Sequence, residues 1–543
     1  LAANGRLELW RRCTEVRFDR LALANLELDG RRLQVCPRPG SAIVRSGPSG
    51  LLVAAGVPGL DLSGRLAGSP VQVRTGPVGL AWPGALVARD LSLRLGEGPD
   101  INRLDLGQVR GQIRAGSMEG TFERADAGLA AVPLDLTGGS GSWPVGDGGL
   151  TLTDGTFALL DRADEARFEP LSITGGALTL QDSVIRATAA VVHPATSRTL
   201  ADLTIMHDLS RSTGQADLVV GGIAFDESLQ PDMLSELALG FVANVRGTVS
   251  GRGRFDWSAG NVTSSGLFET DSLDLAAAFG PVRGLSGTVR FTDLLNLTTA
   301  PAQRLRIASV NPGIEAFDGV IEFTLTGGET LAVSSGTWPF LGGQLTLEPV
   351  TLNFGEGEVR RYVFRVEGLE AARFVQQMEL GNINATGVFD GVMPIVFDEM
   401  GNGRIEGGAL DSRRPGGNVS YIGELTYEDM GAIANFAFAA LRSLDYKTME
   451  VRMDGPLTGE IVTRVRFDGV SQGDGPRQNF LTRQIADLPI RFNVNIRAPF
   501  YQLIPSIRAM YDPAFTRDPR SVGLLTSDGE RLTPRPPLDA IRP

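Results

Sequence analysis

The sequence is poor in the side chains from which most enzymes build active sites. Among 543 residues it has two histidines, His193 and His207, two cysteines and a single lysine. Lys447 follows a tyrosine rather than a glycine-rich loop, so the chain has no P-loop. There is no G-x-S-x-G motif, and both histidines lie in or beside strand-like segments, so Ser-His-Asp chemistry has no support. We therefore predict that the protein is not an enzyme and uses no cofactor.

Charged residues do not indicate a site either. Carboxylates are common, but Asp161 and Asp164 in "LLDRADEARF" are interpreted as a solvated loop rather than a catalytic pair. No metal site is expected, because there is no second cysteine pair and the histidines are far from the cysteines. The net charge is −12 and the arginines are scattered along strands, which argues against nucleic-acid binding.

The chain also lacks a long uncharged apolar run. A membrane-spanning helix needs roughly 18 such residues, and the longest candidate, "GAIANFAFAAL" at 431–441, is too short. The first residue is Leu rather than Met, so we expect that a signal or an anchor has been removed from the N-terminus.

The two cysteines, Cys13 and Cys36, lie near the start of the chain, in or beside strand-like stretches. They are either two buried thiols or one disulfide between adjacent strands. An isolated pair at this spacing favours the disulfide, which would indicate an oxidising compartment.

Glycine, by contrast, is abundant, with 68 residues, nearly twice the usual share. Apolar and polar residues alternate along most of the chain, as in Leu91-Ser-Leu93-Arg-Leu95, which is typical of strands with one dry face. Pairs that supply positive φ are predicted to form hairpin turns or bulges that separate these strands. The pairs are Asp29-Gly30, Asp154-Gly155, Gly175-Gly176, Asp318-Gly319, Gly327-Gly328, Asp390-Gly391, Asp454-Gly455 and Asp468-Gly469.

Few helices are predicted. The candidates are residues 226–245, 369–380, 427–446 and 500–511, and the Pro- and Arg-rich stretch after Asp512 is expected to be an unpacked tail.

These patterns decide the architecture. About 30 half-apolar strands without linkers predict one continuous sheet, on the order of 140 Å long. So long a sheet cannot leave an apolar face in water, so we expect it to coil around an apolar guest. The predicted fold is mainly β: an elongated, twisted, many-stranded open β-groove, or β-taco, with a few short helices. Lipid acyl chains suit such a groove, because burial contributes roughly 0.8 kcal/mol per methylene.

The predicted groove lining consists of inward-facing apolar residues. They are Leu305, Ile307, Ile321, Phe323, Leu325, Leu345, Leu347, Ile461, Val465, Phe467, Phe492 and Val494.

Several long, ordered stretches carry a resemblance to a known family. They include "LTTAPAQRLRIASVNPGIEAFDGVIEFTL" at 297–325, "WPFLGGQLTLEPVTLNF" at 338–354 and "GRIEGGALDSRRPGGNVSY" at 403–421, with further stretches at 383–397 and 441–460. Over residues 284–469 the chain resembles the YdbH branch of the AsmA-like superfamily, which also contains TamB and YhdP. The first half resembles the family only in general features, namely its paired cysteines and repeated strands.

The resemblance implies a bridge-like lipid carrier of Gram-negative bacteria. Such a protein is anchored in the inner membrane by an N-terminal helix, which we expect to have been removed from this chain, and crosses the periplasm as a β-groove carrying phospholipid. A small outer-membrane lipoprotein is the implied partner, added as a strand at the C-terminal end. The implied regions are N-terminal groove repeats (1–283), a YdbH-like groove domain with helical insertions (284–499), and an amphipathic helix with a flexible tail (500–543).

Two other hypotheses remain open beside the lipid conduit. One is a chaperone-like or structural protein of outer-membrane assembly that holds unfolded β-proteins on its strand edges. The other is a polysaccharide-acting enzyme on a β-helix. The family domain has also been labelled as dicarboxylate transport, but a soluble diacid needs converging arginines and polar donors rather than an apolar trough.

Overall fold

The protein is described by a computed structural model. The described residues are 7–23, 26–47, 50–66, 68–97, 101–114, 117–128, 133–146, 149–163, 166–238, 242–258, 261–277, 280–311, 315–353, 359–377, 383–398, 402–421, 443–457, 459–472 and 492–499.

The described part of the chain is nearly all β-strand. The first half contains β1 Leu7–Leu9, β2 Thr14–Leu23, β3 Leu26–Val35, β4 Val44–Gly47, β5 Gly50–Val57, β6 Leu60–Leu66, β7 Ser69–Thr75, β8 Val78–Trp82, β9 Gly84–Leu95, β10 Asn102–Arg114, β11 Ser117–Gly128, β12 Leu134–Gly146, β13 Gly149–Asp161, β14 Leu171–Gln181, β15 Val184–Val192, β16 Thr199–Asp208, β17 Thr213–Phe225, β18 Val242–Ser258 and β19 Asn261–Ala277.

The second half contains β20 Gly280–Asp293, β21 Thr298–Thr299, β22 Gln303–Val310, β23 Ala316–Thr326, β24 Thr330–Phe340, β25 Gly343–Leu347, β26 Val350–Asn353, β27 Arg360–Glu370, α1 Ala371–Gln377, β28 Ile383–Ala385, β29 Val388–Phe397, β30 Gly403–Ser412, β31 Gly417–Tyr421, β32 Leu444–Tyr446, β33 Thr448–Pro456, β34 Glu460–Asp468, β35 Ser471–Gln472 and β36 Phe492–Pro499. Two 3₁₀ turns, Pro231–Met233 and Glu236–Ala238, connect β17 to β18.

Thirty-two of these strands form one open antiparallel sheet. From β9 to β20 every strand pairs with the next one in the chain, so this part of the sheet is a simple meander. The predicted elongated, mainly β fold is confirmed. At about 4.8 Å per strand, the sheet is on the order of 120 Å long.

The sheet divides at its N-terminal end. One side of β9 is covered by two short strands lying end to end, β8 beside its first half and β7 beside its second. One branch continues through β6 and β3 to β2, and the other through β5 and β4 to β1.

At the C-terminal end, strands turn a corner into a second sheet. Beyond β27 the main sheet continues through β29, β30, β33 and β34 to β36. The strands β28, β31, β32 and β35 adjoin β29, β30, β33 and β34 in the chain and pair in the same order. Gly387, Gly416 and Gly469 stand at these corners with positive φ, a conformation that favours glycine.

Most of the predicted turns lie inside strands instead, which corrects that expectation. Asp154-Gly155 is within β13, Gly175-Gly176 within β14 and Asp318-Gly319 within β23, and Asp29-Gly30, Asp390-Gly391 and Asp454-Gly455 are likewise interior. Gly327-Gly328 does connect two strands. At Asp154, Gly175, Asp318 and Gly455 the positive φ bends a strand without ending it, as in a β-bulge.

Such bends follow one another across neighbouring strands. Asp90, Arg124, Gly138, Asp154 and Gly175 have φ between +49° and +63° on β9, β11, β12, β13 and β14. Register shifts accompany the bends between β11 and β14. Because a bend shifts the side-chain alternation, the apolar residues of both strand halves keep facing one side. We call this side the inner face and the opposite side the outer face.

The helix predictions had mixed outcomes. The segment 369–380 contains α1, as expected, but the described residues of 226–245 include two 3₁₀ turns and the start of β18 instead of a helix. The predicted helix at 427–446 lies mostly outside the described residues, although β32 occupies its end, and the predicted helix at 500–511 and the tail lie wholly outside them. The expected boundary at residue 283 falls within β20.

Candidate functional site: the apolar inner face

The inner face carries rows of apolar residues that run across the strands. In an antiparallel pair, directly opposed residues project from the same side of the sheet, so a chain of opposed residues defines a row. One row runs from β13 to β19 and comprises Leu152, Leu178, Ala187, Ile205, Ala216, Phe255 and Ser264. Nearly every member is apolar, over a distance of roughly 30 Å.

A second row borders the first on the same face. It comprises Leu150, Leu180, Ile185, His207, Gly214, Trp257 and Val262. We call these two sets the inner rows. Leu178, Leu180, Ile205 and Phe255 are half-buried, so the side chains of the inner rows pack against neighbours while still presenting apolar surface.

The outer face of the same strands is polar. The corresponding row comprises Thr151, Thr179, Arg186, Met206, Gln215, Asp256 and Thr263. Elsewhere on this face ion pairs bridge neighbouring strands, as where the guanidinium of Arg94 donates to both oxygens of Asp105 at 2.8 and 3.0 Å. The sheet therefore has one face suited to water and one suited to hydrocarbon.

The titratable member of the inner rows, His207, is kept neutral. Burial lowers its pKa, and this outweighs the opposing effects of the Thr213 backbone and Asp208. The Trp257 indole N–H donates a hydrogen bond to His207 Nδ1 at 3.1 Å, so Nδ1 accepts this bond and carries no proton. The inner rows thus continue across His207 without a charge.

Tryptophans on the inner face lie over glycines of adjacent strands. A Cβ added to Gly111 or Gly120 would come within 2.8 Å of the Trp143 ring, and one added to Gly214 within 2.4 Å of Trp257. Part of the glycine excess therefore makes space for aromatic rings within strands, rather than forming turns.

All the predicted lining residues lie on the inner face, in the second half of the sheet. Leu305, Ile321 and Leu347 belong to one row that continues to Phe364. Leu345, Val465 and Val494 belong to another, which begins at Trp338. The remaining predicted residues lie two or four positions from these along the same strands, and therefore on the same face. They are Ile307, Phe323, Leu325, Ile461, Phe467 and Phe492.

These residues are more enclosed than an open groove requires. Leu305, Ile307, Leu345, Leu347, Ile461, Val465 and Phe467 are buried, and Ile321, Phe323 and Leu325 are half-buried. For Phe492 and Val494 the structure describes the backbone alone.

The second sheet covers the C-terminal part of this face, over β30 and β34. Leu444 and Tyr446 of β32 and Ala385 of β28 join one apolar cluster with Phe467 and Ile405 of the main sheet. The rings of Tyr446 and Phe467 meet edge to face, with centroids 5.8 Å apart. The inner face is thus partly open over the strands of the first half and closed near the C-terminal end.

The most open apolar rows were missed by the sequence prediction of site residues. The predicted set came from the second half of the chain, where the family resemblance is densest. The alternation at Leu150, Leu152, Leu178 and Leu180 was a usable signal, because it marks the same face on two adjacent strands.

Two other predictions concern polar groups. Cys13 and Cys36 are joined by a disulfide, with the sulfur atoms 2.09 Å apart. Asp161 is not solvated as expected: its side chain is 0% exposed and accepts hydrogen bonds from Arg167 Nε and Nη2 at 2.7 and 2.8 Å. An arginine six residues away supplies the partner that makes burial of this carboxylate possible.

No group of three or more His, Cys, Asp or Glu side chains in the described ranges is arranged to hold a metal ion. Within those same ranges, no helix has both the length and the apolar character to cross a bilayer.

Taken together, the fold and the inner face define a class: long open β-sheet proteins in which one face of the sheet is apolar and the other polar. A family model described as "YdbH-like: Intermembrane phospholipid transport protein YdbH" matches residues 1–520. The chain therefore belongs to the YdbH-like family of intermembrane phospholipid transport proteins, as the resemblance predicted, and the match extends well beyond residues 284–469. A search of curated proteins found no individual match.

Proposed function

We propose that the protein is a bridge-like conduit, in which phospholipid acyl chains lie on the inner rows and move along the sheet. The observation that carries this proposal is the nearly continuous apolar character of the inner rows across seven strands, in which the large side chains of Leu178, Leu180, Ile205 and Phe255 are only half-buried. A folded core would bury these side chains fully, whereas a face that holds a removable guest leaves them accessible.

The energetics favour hydrocarbon as the guest. Each methylene that leaves water for this face contributes roughly 0.8 kcal/mol, so an acyl chain gains a large total from many equivalent contacts. Because the inner rows offer similar apolar contacts at successive strands, a chain can shift along them with little change in free energy. The polar headgroup needs no partner on the inner face and remains in water at the open side.

The predicted lining residues of the second half belong to the same proposed path. Near the C-terminal end the second sheet lies over this path, with Tyr446 against Phe467. We infer that lipid passes this section when β28, β31, β32 and β35 separate from the main sheet. These strands contain only two to five residues each. The second sheet is therefore the smaller of the two and the easier one to displace.

The proposed location is the periplasm, with anchoring to the inner membrane and reach towards the outer membrane. The Cys13–Cys36 disulfide supports an oxidising compartment. The proposed protein partner is a small outer-membrane lipoprotein that adds a strand at the C-terminal end. In its support, the described pairings give β36 a neighbour on one side, β34, and a free strand edge is a template for another strand.

Site-specific photocrosslinking in living cells tests the conduit. A photoreactive amino acid is placed at Leu178 or Leu203 on the inner face, and at the adjacent outer-face residues Thr179 and Thr204 as matched controls. We expect phospholipid adducts at Leu178 and Leu203 and none at the two threonines. Equal labelling at all four positions would contradict the proposal. Adducts to outer-membrane proteins in place of lipid would support the assembly-factor alternative.

A further inference from the structure

The N-terminal end of the sheet exposes large apolar side chains at an unusual density. Five of them, on β1, β5 and β8 and in the loop after β1, are at least 40% exposed. They are Leu9 (40%), Trp10 (54%), Leu51 (47%), Leu80 (42%) and Trp82 (44%). We call these five residues the N-terminal patch.

Strand pairing brings the patch together. Leu9 opposes Val44, Val44 opposes Val53, and Val53 opposes Trp82, so one row crosses four strands in roughly 15 Å. Trp10 directly follows Leu9, and Leu80 lies two residues before Trp82 on the same side of β8. Leu9 and Trp82 therefore stand at the two ends of one short apolar row.

Trp10 is held in its exposed position by the surrounding backbone. Its φ is +59°, a left-handed conformation that a bulky side chain rarely adopts. The Ile43 backbone N–H donates to the Trp10 carbonyl at 3.0 Å, and three residues further on the Cys13–Cys36 disulfide ties the loop to the end of β3. The protein thus holds an aromatic side chain in a position where about half of its surface stays exposed to water.

The charge of this end is opposite to that of the whole chain. Residues 1–57 contain nine arginines and five carboxylates, a local charge of +4, whereas the chain carries −12. Arg12 and Arg38 are exposed and have no carboxylate of the described residues within ion-pair distance. Arg12 lies in the same loop as Trp10, and Arg38 follows the disulfide.

We propose that the N-terminal patch and these arginines bind the surface of an anionic phospholipid bilayer. Tryptophan is favoured at the boundary between headgroups and acyl chains, where its ring is buried and its N–H stays wet. Exposed arginines are attracted to anionic headgroups. A second copy of the chain fits less well, because it would bring one +4 surface against another.

Direct contact with a bilayer is distinct from tethering by a separate anchor, because the folded sheet itself touches the lipid. It places the open end of the inner face against the membrane, where acyl chains are available. The inference is also separable from the conduit: the N-terminal end can bind vesicles whether or not lipid occupies the inner rows.

Vesicle flotation with the full chain tests the inference. Vesicles of phosphatidylcholine mixed with phosphatidylglycerol are compared with vesicles of phosphatidylcholine alone, at low and high salt. We expect binding to the anionic vesicles, weakened by salt. Arg12→Gln and Arg38→Gln should each weaken it about fivefold, and the Trp10→Ala, Trp82→Ala double variant about tenfold or more.

Matched controls lie far from the patch. Arg186 and Arg306 are exposed without an ion pair to another described residue, and Phe317 is 48% exposed. Arg186→Gln, Arg306→Gln and Phe317→Ala should bind vesicles like the parent protein, and circular dichroism should show that every variant is folded. Binding that ignores lipid charge, or patch variants that bind like the parent, would overturn the proposal. So would a dimer that dissociates in the tryptophan variants while vesicle binding is absent.

Discussion

At the scale of single residues, the buried Asp161–Arg167 pair fastens distant parts of the chain. Besides binding Asp161, Arg167 donates from Nη1 to the Leu295 carbonyl at 2.7 Å, and its own carbonyl accepts from Ser235 Oγ at 2.6 Å. These contacts link the segment after β13 to segments near β18 and β20. A charged pair placed here ties loops that the apolar rows do not reach.

Arg167→Gln should therefore destabilise the protein. The substitution leaves the Asp161 carboxylate buried without its cation, and the Arg167 side chain is itself only 19% exposed. We expect a loss of about 2–3 kcal/mol, measured as a lower urea midpoint at neutral pH. Arg304→Gln, which breaks an ion pair whose arginine is 73% exposed, is the control and should change the midpoint little. Equal effects of the two substitutions would refute the assignment.

The same pair predicts a response to acid. Burial opposes ionisation of Asp161, but Arg167 and two backbone N–H groups outweigh it and lower the pKa from 3.8 to about 2. A lowered pKa contributes stability that is complete above 3.8 and is lost as the pH falls through about 2. Between neutral pH and about pH 3 the parent protein should lose more stability than Asp161→Asn. Parallel pH profiles from urea unfolding would count against an ionised Asp161.

Sequence reasoning at this scale succeeded for Cys13 and Cys36 and failed for Asp161. Two cysteines alone in a chain have one possible partner each, so their spacing was informative. Asp161 had many arginines available, and nothing in "LLDRADEARF" indicates that Arg167, rather than Arg162, turns inward. Burial of a charge depends on tertiary contacts, such as those of Arg167 with Leu295 and Ser235, which are remote in sequence.

At the scale of strands, glycine and aromatic residues form pairs across neighbouring strands. A Cβ at Gly139 of β12 would lie 2.1 Å from the Phe157 ring of β13, and a Cβ at Gly319 of β23 would lie 1.9 Å from the Trp338 indole of β24. The ring occupies the place of the missing side chain, so apolar cover continues over the glycine. Glycine is thereby used in strand interiors, where it is otherwise unfavourable.

Gly139→Ala should accordingly lower stability by about 1–3 kcal/mol, because the new methyl group forces Phe157 out of its place. Gly221→Ala in β17 is the matched control: no atom lies within 4 Å of its added Cβ, and its φ is not positive. The control should stay within about 0.5 kcal/mol of the parent. The urea midpoint of each variant provides the measurement.

A second substitution tests the cause. Phe157→Leu shortens the side chain, so Gly139→Ala should cost less in the Phe157→Leu background than in the parent protein. Additive effects of the two substitutions would show that the ring and the glycine do not interact.

The glycines also explain why strand boundaries were harder to predict than strand faces. Alternation identified the apolar face correctly at Leu150, Leu152, Leu178 and Leu180, because shifting a strand by one residue would turn its apolar side chains to the opposite face. Asp154-Gly155 and Gly175-Gly176 were predicted to be hairpin turns or bulges that separate strands, although each is a bend within one strand. A turn and a bulge use the same residues with positive φ, and the pairing of the following residues decides between them.

At the scale of the whole molecule, the inner face of the sheet is partly exposed in one section and covered in another. Over β13–β19 the inner rows are half-buried, whereas near β29–β34 the second sheet covers the face and Ile405 is 0% exposed. The sequence predicted a long sheet with an apolar face because alternation persists through both halves. It did not reveal the closure, because β28, β31, β32 and β35 are two to five residues long, too short for a periodic pattern.

An arginine scan distinguishes the open and closed sections. At Leu178, on the half-buried inner rows, an introduced arginine can reach water across the open side, so Leu178→Arg should fold with a modest fall in melting temperature. The charge would nevertheless interrupt the apolar path, so native mass spectrometry should find less co-purified phospholipid than with the parent. Thr179→Arg places the same charge on the outer face one residue away and should retain both fold and lipid.

Ile405→Arg provides the opposite extreme, because its charge would be enclosed without a partner and should cost several kcal/mol or prevent folding. The informative comparison is between Leu178→Arg and Ile405→Arg under the same thermal unfolding conditions. A folded Leu178→Arg that lacks lipid, beside an unfolded Ile405→Arg, requires that the inner face be accessible in the first half and closed in the second. If both variants unfold, the inner rows are part of an ordinary core and no hydrocarbon path runs along β13–β19.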